Sequence, residues 1–382
     1  MNKSGITKDI RYVGVNDHKI DLFEGQFKVE KGMSYNSYII MDDKTTVVDS
    51  VDRAFAEEWV NNIRLELKGR SVDYLIINHM EPDHSGSILE LVKAYPAVLL
   101  VGNAMTFKML DQFFPNNRAH SRLIVKDKDT LVLGHHRLHF ITAPNVHWPE
   151  VMFTYDETDE ALFSADAFGK FGALDIDDEW DKEARRYYFG IVGKYGKNVL
   201  TALDKVSNLK LKLICPLHGP VLLTGLEYYI EKYKHWASYE PDQDGVLIAV
   251  SSVYGNTMNV AKELQKLLEE DSKRVVVLDL NRTELSTAVS KAFKYNKLVL
   301  ASITYNQDVF PSMSQFIEAL KSRNYQNRTV GFIENGSWAP QAAKVMKESL
   351  EGLSGLTLLE PISIKGATYS ILDLERLAKE LK

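Results

Sequence analysis

A regular alternation of strands and helices after residue 245 is the feature that most constrains the fold. Short runs of β-branched and aliphatic residues are each followed by an amphipathic pattern, and the pair repeats five times. The predicted strands are 246–251, 275–279, 297–302, 329–333 and 357–363, and the predicted helices are 257–270, 284–293, 312–323, 340–350 and 371–381. Because each helix returns the chain across the sheet, such strands pair in parallel. We therefore predict a doubly wound parallel sheet over residues 245–382.

The chain before residue 240 has a less regular pattern. A polar stretch over 235–245 contains Pro and Gly without a sustained period, which is typical of a linker. The predicted strands before it are 36–40, 46–49, 74–77, 97–101, 138–142, 161–164 and 211–215, and the predicted helices are 53–67, 86–94, 104–113, 183–198 and 200–206. This mixture predicts an α/β sandwich over 1–240 and a separate domain over 245–382.

Composition excludes several classes of function. The net charge of −6 argues against binding to nucleic acid or to an anionic membrane. No apolar run is long enough to span a bilayer and the first residues lack the apolar core of a secretion signal, so we expect a cytoplasmic protein. The single cysteine, Cys215, excludes a disulfide framework and a four-cysteine rubredoxin module within this sequence. Any redox chemistry therefore needs another cofactor or another protein.

Four side chains that commonly bind metals lie within residues 79–84, directly after the predicted strand 74–77. Their spacing is H-x-E-x-D-H, and they are His79, Glu81, Asp83 and His84. Imidazoles and carboxylates clustered at the end of a strand predict a metal site. The alternative is a polar surface turn that happens to contain two histidines, and the rest of the chain makes that alternative less favourable.

Three more residues of ligand type follow later apolar strands, and they are His147, Asp166 and His218. Together with the first cluster they give four imidazoles and three carboxylates, which is too many for one ion and suits two. Hard carboxylates without thiolates favour iron or manganese, and zinc is also compatible. Asp166 is expected to bridge the two ions, because each would otherwise have three protein ligands. The histidines at 135, 136 and 139 lie in a basic stretch, and we predict surface positions for them.

A candidate phosphate site follows the first strand of the second domain. Residues 252–257 place hydroxyl groups, a glycine and backbone N–H groups at the start of a helix, and they are Ser252, Val253, Tyr254, Gly255, Asn256 and Thr257. The absence of a P-loop lysine and of GxGxxG argues against a triphosphate or a dinucleotide. The simpler alternative is an ordinary capped helix.

Two later loops strengthen the case for a bound ligand, because they follow strands at the same predicted sheet edge. Their candidate residues are Ser302, Thr304, Tyr305 and Asn306 in one loop, and Asn335, Gly336, Ser337 and Trp338 in the other. Tyr305 and Trp338 are positioned to flank a flat ring. The loops therefore predict a site for a mononucleotide that carries a planar ring system.

These motifs together resemble the flavodiiron proteins over nearly the whole chain. The resemblance implies a metallo-β-lactamase-like αββα sandwich with a diiron site at the seven residues above, with Asp166 bridging. It also implies a flavodoxin-like domain that holds FMN without a covalent link. Zinc hydrolases of related fold have His where this chain has Glu81, and the harder carboxylate suits redox iron. Many family members have Phe-His-Gly-Tyr where this chain has Phe23-Glu24-Gly25-Gln26.

The resemblance further implies reduction of dioxygen to water and/or of nitric oxide to nitrous oxide at the diiron centre, with dioxygen favoured and no separate acid or base. Rubredoxin or a similar small carrier would supply electrons. The family assembles as a head-to-tail homodimer or a dimer of such dimers. Two alternatives stay open: a zinc-dependent hydrolase with a flavodoxin-like regulatory domain, and a flavin electron carrier without metals. Glu81 counts against the first alternative, and the complete ligand set counts against the second.

Overall fold

The computed structural model describes residues 5–116, 120–270 and 273–382. The chain divides into two compact units. The first runs to Tyr187 and resumes over Lys197–Lys234, and the second comprises Tyr188–Gly196 and His235–Lys382. Residues 188–196 thus belong with the carboxyl-terminal unit although they lie far from it in sequence. Among the described helices, none is both long enough and apolar enough to cross a membrane.

Two larger β-sheets form the framework of the first unit. The first sheet has the order β1-β6-β7-β8-β9-β10, and its last four strands are parallel. The second sheet has the order β11-β12-β13-β14-β15, and only its last pair is parallel. The strands are β1 (Ile10–Tyr12), β2 (Val15–Asp17), β3 (Leu22–Phe23), β4 (Phe27–Lys28), β5 (Met33–Tyr35), β6 (Tyr38–Ile40), β7 (Thr46–Val48), β8 (Tyr74–Ile76), β9 (Leu99–Gly102), β10 (Arg122–Ile124), β11 (Thr130–Val132), β12 (Arg137–Thr142), β13 (Met152–Asp156), β14 (Ala161–Phe163) and β15 (Leu213–Cys215).

The two sheets pack face to face through one apolar core. Val48 and Ile76 of the first sheet share this core with Phe140 and Phe163 of the second. Burial of such side chains stabilises each by about 1.5–3 kcal/mol relative to exposure. The helices of this part of the chain are α1 (Ala56–Leu67), α2 (Pro82–Ser85), α3 (Ile88–Ala94), α4 (Ala104–Phe113), α5 (Trp180–Tyr187), α6 (Gly196–Val206) and α7 (Leu226–Ala237). The predicted α/β sandwich is confirmed.

The second unit contains the predicted parallel sheet. Its strands are β16 (Gln243–Ser251), β17 (Val275–Asp279), β18 (Tyr295–Tyr305), β19 (Asp308–Val309), β20 (Thr329–Asn335), β21 (Thr357–Leu358) and β22 (Ile362–Ile364). The order β17-β16-β18-β20-β21 is that of a doubly wound flavodoxin-like sheet, and β22 also pairs with β20. The helices are α8 (Asn256–Glu269), α9 (Leu285–Lys294), α10 (Pro311–Ser322), α11 (Ala342–Leu350) and α12 (Ile371–Glu380).

Several elements differ from the sequence prediction. Strand β13 and helix α7 were not predicted, and α7 and β16 occupy the two ends of the predicted linker 235–245. The predicted helix 183–198 is interrupted, because a π-helical turn over Tyr188–Val192 and a 3-10 turn over Gly193–Tyr195 separate α5 from α6. The Tyr239 hydroxyl donates to Gly193 O at 2.8 Å and accepts from Gly196 N at 3.2 Å, which stabilises the break. The predicted strand 357–363 is two strands, since Pro361 has no N–H group for the ladder.

Candidate metal centre and mononucleotide cavity

Loops at the ends of four strands bring the predicted metal ligands of the first unit together. His79 follows β8, and the short helix α2 begins immediately afterwards with Pro82 at its first position. Proline suits that position because its missing N–H group would have no helical partner. The three ligands that come later in the sequence follow β12, β14 and β15, and they are His147, Asp166 and His218. Every one of these strands ends at the same site.

The seven residues form two groups that meet at Asp166. In the first group, His147 Nε2 lies 3.0 Å from both Glu81 Oε2 and Asp166 Oδ2, and His79 Nε2 lies 3.2 Å and 3.3 Å from the same oxygens. In the second group, His84 Nε2 lies 3.2 Å from Asp83 Oδ2 and 3.0 Å from His218 Nε2. Asp166 Oδ1 lies 3.2 Å from His84 Nε2. The carboxylate of Asp166 thus presents one oxygen to each group.

These spacings fit two metal ions. Ligand bonds of about 2.0–2.2 Å place neighbouring donor atoms roughly 2.8–3.6 Å apart in octahedral or tetrahedral coordination. Asp166 is fully buried, and its Oδ1 accepts no hydrogen bond from the described residues. Neither side-chain oxygen of Asp83 accepts one from them either. Because a buried carboxylate without compensation is strongly unfavourable, a cation between these groups would satisfy the site.

The electrostatics of the site favour positive charge at its centre. Burial alone would lower the pKa of His147, but Asp166 and Glu81 raise it to about 9. Burial alone would raise the pKa of Asp166, but His79 and His84 lower it well below its usual range. Asp166 therefore stays ionised, and a bound metal ion would replace the protons of the imidazoles.

Buried partners orient the imidazoles from the side away from the site. His79 Nδ1 donates to Glu150 Oε1 at 2.8 Å, and the same oxygen accepts from Met80 N at 2.8 Å. His218 Nδ1 donates to Ser34 O at 2.7 Å. Each of these bonds fixes the plane of the imidazole ring and leaves Nε2 as the nitrogen that can bind a metal ion. Glu150 is therefore a positioning residue that the sequence motif did not reveal.

Aromatic side chains surround the second group. The ring of Phe23 lies 5.4 Å from the His218 ring, and the ring of Tyr187 lies 5.5 Å from it. The ring of Tyr35 lies 6.0 Å from the ring of the same histidine. These rings are buried, so they restrict water around His218 and strengthen electrostatic interactions there.

The second unit has a cavity of about 820 Å³ at the carboxyl ends of β16, β18 and β20. Most of the residues that we predicted for a phosphate and ring site line it, namely Ser252, Val253, Tyr254, Asn256, Thr257, Thr304, Tyr305, Asn306, Asn335, Gly336, Ser337 and Trp338. Two predicted residues do not. Ser302 is fully buried and its hydroxyl accepts from Phe310 N, while Gly255 lines a neighbouring cavity.

The cavity combines an anion site with exposed aromatic rings. Helix α8 begins at Asn256, and the preceding Gly255 has a φ of +89°, which glycine adopts without steric cost. The N–H groups of this first turn and the helix dipole favour a phosphate. Trp338 is 83% exposed and Tyr305 is 46% exposed, so both rings are available to a ligand. These features suit a mononucleotide with a planar ring system.

Comparisons with known proteins agree with this architecture. The family described as ODP family beta lactamase matches residues 33–219, and the Flavodoxin domain matches residues 247–367. The anaerobic nitric oxide reductase flavorubredoxin of Klebsiella pneumoniae is 28% identical over 361 residues, which cover 91% of this chain and 74% of that protein. The Escherichia coli protein of the same name is 27% identical over 359 residues.

Solved structures show the same fold over nearly the whole chain. The rubredoxin oxygen:oxidoreductase from Desulfovibrio gigas superposes with a TM-score of 0.91 at 24% identity, covering 98% of this chain and 96% of that one. The flavodiiron protein from Giardia intestinalis gives 0.87 at 25% identity and covers 99% and 94%. The chain belongs to the flavodiiron family. The predicted combination of a metallo-β-lactamase-like domain and a flavodoxin-like domain is confirmed.

One histidine outside the motif departs from sequence expectation in this flavodiiron chain, and Glu24, which we did not predict to be a ligand, lies outside both metal groups. His136, which we predicted to lie at the surface, is only 1% exposed, and its Nδ1 lies 2.8 Å from Asp156 Oδ2. Sequence could not reveal that pair, because it forms between neighbouring strands. Desolvation and then the Glu81 carboxylate raise the pKa of Glu24 to about 7, so it lies within electrostatic reach of the first group.

Replacing Glu150 by Gln is expected to weaken metal retention by about 10- to 100-fold, as is typical when the outer partner of a metal-binding histidine is lost. The amide oxygen is a weaker acceptor than the carboxylate for the N–H groups of His79 and Met80. Metal content after dialysis against a graded series of chelator concentrations measures the effect. The control is Glu157→Gln, since Glu157 is 58% exposed and pairs with His139 instead. Equal chelator sensitivity in both variants would contradict the positioning role.

Proposed function

We propose that this chain is a diiron and FMN oxidoreductase that reduces dioxygen to water and/or nitric oxide to nitrous oxide, with dioxygen favoured. The observation that carries the proposal is the division of the Asp166 carboxylate between two groups of imidazole and carboxylate ligands. Glu81 supports iron over zinc, because it gives the first group an additional hard anionic ligand. The names of the relatives, a nitric oxide reductase and a rubredoxin oxygen:oxidoreductase, support the same class of reaction.

The side chains that would hold the ions are His79, Glu81, His147 and Asp166 for one, and Asp83, His84, His218 and Asp166 for the other. When bound, two ferrous ions and a reduced flavin supply the four electrons that convert O₂ and four protons into two waters, whereas two molecules of NO with two electrons and two protons give N₂O and one water. The three carboxylates neutralise most of the charge of two divalent ions. Phe23, Tyr35 and Tyr187 limit the access of water to the second group.

The FMN would occupy the cavity of the second unit. Its phosphate would bind at the first turn of α8, where Asn256 and Thr257 line the cavity. The hydrogen bonds of Asn335 to Thr257 Oγ1 and to the backbone of Gly366 hold two of the cavity loops together. The exposed rings of Tyr305 and Trp338 would contact the isoalloxazine.

The remaining parts of the proposal concern organisation and partners. We propose that residues 1–240 act as the metal domain and 245–382 as the flavin domain of a cytoplasmic enzyme. A rubredoxin or a similar small carrier would reduce the flavin, in line with the names of the relatives. The chain would act as a head-to-tail homodimer or as a dimer of such dimers.

Anaerobic purification followed by cofactor counting and gas-consumption assays tests the proposed function. We expect two iron ions and one FMN per chain, and faster consumption of O₂ than of NO when reduced rubredoxin is the electron donor. Two zinc ions without gas consumption would instead support the hydrolase alternative. FMN without any metal would support a flavin carrier. Faster turnover of NO would reverse the proposed substrate preference and leave the class of enzyme intact.

A further inference from the structure

A second cluster of carboxylates surrounds His136 at the opposite end of the sandwich from the metal centre. His136 directly precedes β12, whereas His147 follows the carboxyl end of that strand. The six residues of β12 span roughly 20 Å at about 3.3 Å per residue, so the two places are separate. The other members of the cluster come from the segment before β1, from the end of β13 and from the β13–β14 turn, and they are Asp9, Asp156 and Asp159.

The geometry around His136 follows the arrangement of a metal-binding histidine with an outer carboxylate. Its Nδ1 donates to Asp156 Oδ2 at 2.8 Å, and both side chains are almost fully buried. Its Nε2 is buried and makes no hydrogen bond with any described residue, but it lies 3.6 Å from Asp9 Oδ2. In carboxylate–histidine–metal sites the bond at Nδ1 fixes the tautomer and leaves Nε2 for the ion. Nε2 of His136 is therefore a buried donor atom directed at a carboxylate, without a partner of its own.

Asp159 belongs to the same cluster as His136 and Asp156. Ligand atoms of His136, Asp156 and Asp159 all lie within 4.8 Å of one another. Thr7 Oγ1 donates to Asp159 Oδ2, which orients this carboxylate. Donor atoms about 3.3–3.6 Å apart are what a tetrahedral ion with bonds of about 2.0–2.2 Å requires, and the 3.6 Å separation of His136 Nε2 and Asp9 Oδ2 meets that condition.

The charge at the cluster is not balanced by basic side chains. Asp42 Oδ2 accepts the backbone N–H of His136 at 2.6 Å and brings a further carboxylate close to the ring. Within residues 5–116, 120–270 and 273–382, no lysine or arginine pairs with Asp9, Asp42, Asp156 or Asp159. Burial alone would lower the pKa of His136, but Asp156 and then the other carboxylates raise it to about 9. A positive charge at this position is thus favoured, whether a proton or a metal ion carries it.

We infer that His136, Asp9 and Asp159 form a third metal site, which takes a divalent ion of the zinc type, with Asp156 as the residue that positions His136. One imidazole nitrogen and two carboxylates suit a borderline ion, and water would complete a tetrahedral shell. The ion would join the segment before β1 to two hairpins of the second sheet. This arrangement matches a structural metal site, since the ligands come from separate loops and need no substrate.

Zinc uptake by the intact iron- and flavin-containing protein tests this inference. The protein is dialysed against zinc chloride and then against buffer, and zinc and iron are counted by mass spectrometry before and after. We expect one additional zinc per chain with unchanged iron in the wild type, and no additional zinc in His136→Gln. Asp156→Asn keeps the ligands but loses the orienting carboxylate, so its zinc affinity is expected to fall by about 10- to 100-fold.

Two further variants separate a lost ligand from a lost fold. His139→Gln changes a histidine on the same strand that pairs with Glu157, and it should take up zinc like the wild type. Asp9→Asn alters a side chain that is 26% exposed, so this variant should fold normally and lose the additional zinc. It therefore tests the site even if His136→Gln proves unstable. The inference is overturned if the wild type takes up no zinc, if uptake is matched by a loss of iron, or if Asp9→Asn and His136→Gln both retain the additional zinc. The result does not depend on the substrate of the diiron centre.

Discussion

Replacing Asp166 by Asn is expected to remove both iron ions and to reduce gas consumption by at least about 100-fold, while FMN remains bound. The carboxylate faces His147 with Oδ2 and His84 with Oδ1, at 3.0 Å and 3.2 Å, so one substitution affects both groups. An amide retains one oxygen donor and has no negative charge. Because a bound metal contributes several kcal/mol to catalysis and each 1.4 kcal/mol is a factor of ten, its loss accounts for the expected decrease.

The measurement is iron and FMN per chain together with O₂ consumption by the same preparation. Asp156→Asn is a matched control, because Asp156 is as buried as Asp166 but lies at the opposite end of the sandwich. It should keep both iron ions and near wild-type turnover. If Asp166→Asn retained both irons and full activity, Asp166 would not be the bridging ligand and the proposed diiron centre would be wrong.

The parts of the fold that the sequence revealed are those with strong local patterns. Each strand–helix pair of the second unit repeats a local hydrophobic period, and helices such as α4 were predicted with their observed bounds. The metal-type residues were recognisable because four lie within residues 79–84 and the others come within a few residues of the end of an apolar strand. A ligand at the end of a buried strand is positioned by the sheet itself, so its place in sequence predicts its place in space.

Other features depend on contacts between distant segments, and local patterns do not report them. Glu150 lies 71 residues from His79, although the two side chains form a buried hydrogen bond. The pair of His136 and Asp156 forms because β12 and β13 are antiparallel neighbours. The two- and three-residue strands β2 to β5 are too short to show a period of two. In these places the tertiary structure, rather than propensity, decides which residues meet.

Loss of FMN should leave both iron ions bound, so a substitution at the FMN cavity is expected to reduce activity without removing the metals. Asn256→Asp is expected to weaken FMN binding by about 5- to 700-fold and to reduce rubredoxin-dependent gas consumption in proportion to the lost flavin, while both iron ions remain. Asn256 is the first residue of α8 and lines the cavity. The carboxylate introduced at this position and the phosphate would be like charges. At a separation of about 4 Å, two like charges repel by about 1 kcal/mol in bulk water and by about 4 kcal/mol near a protein surface. These energies correspond to the expected loss of FMN affinity by about 5- to 700-fold.

The same substitution should not destabilise the protein itself, and this separates binding from folding. Aspartate in the first turn of a helix is stabilising by about 0.3–1 kcal/mol through the helix dipole, so the flavin-free variant should unfold at a temperature equal to or above that of the flavin-free wild type. Fluorescence titration with FMN and thermal unfolding of the flavin-free proteins provide the two measurements. Asn324→Asp is the control, because it adds the same charge to an exposed turn outside the cavity and should leave FMN affinity unchanged. Unchanged FMN affinity in Asn256→Asp would show that the phosphate does not bind at the start of α8.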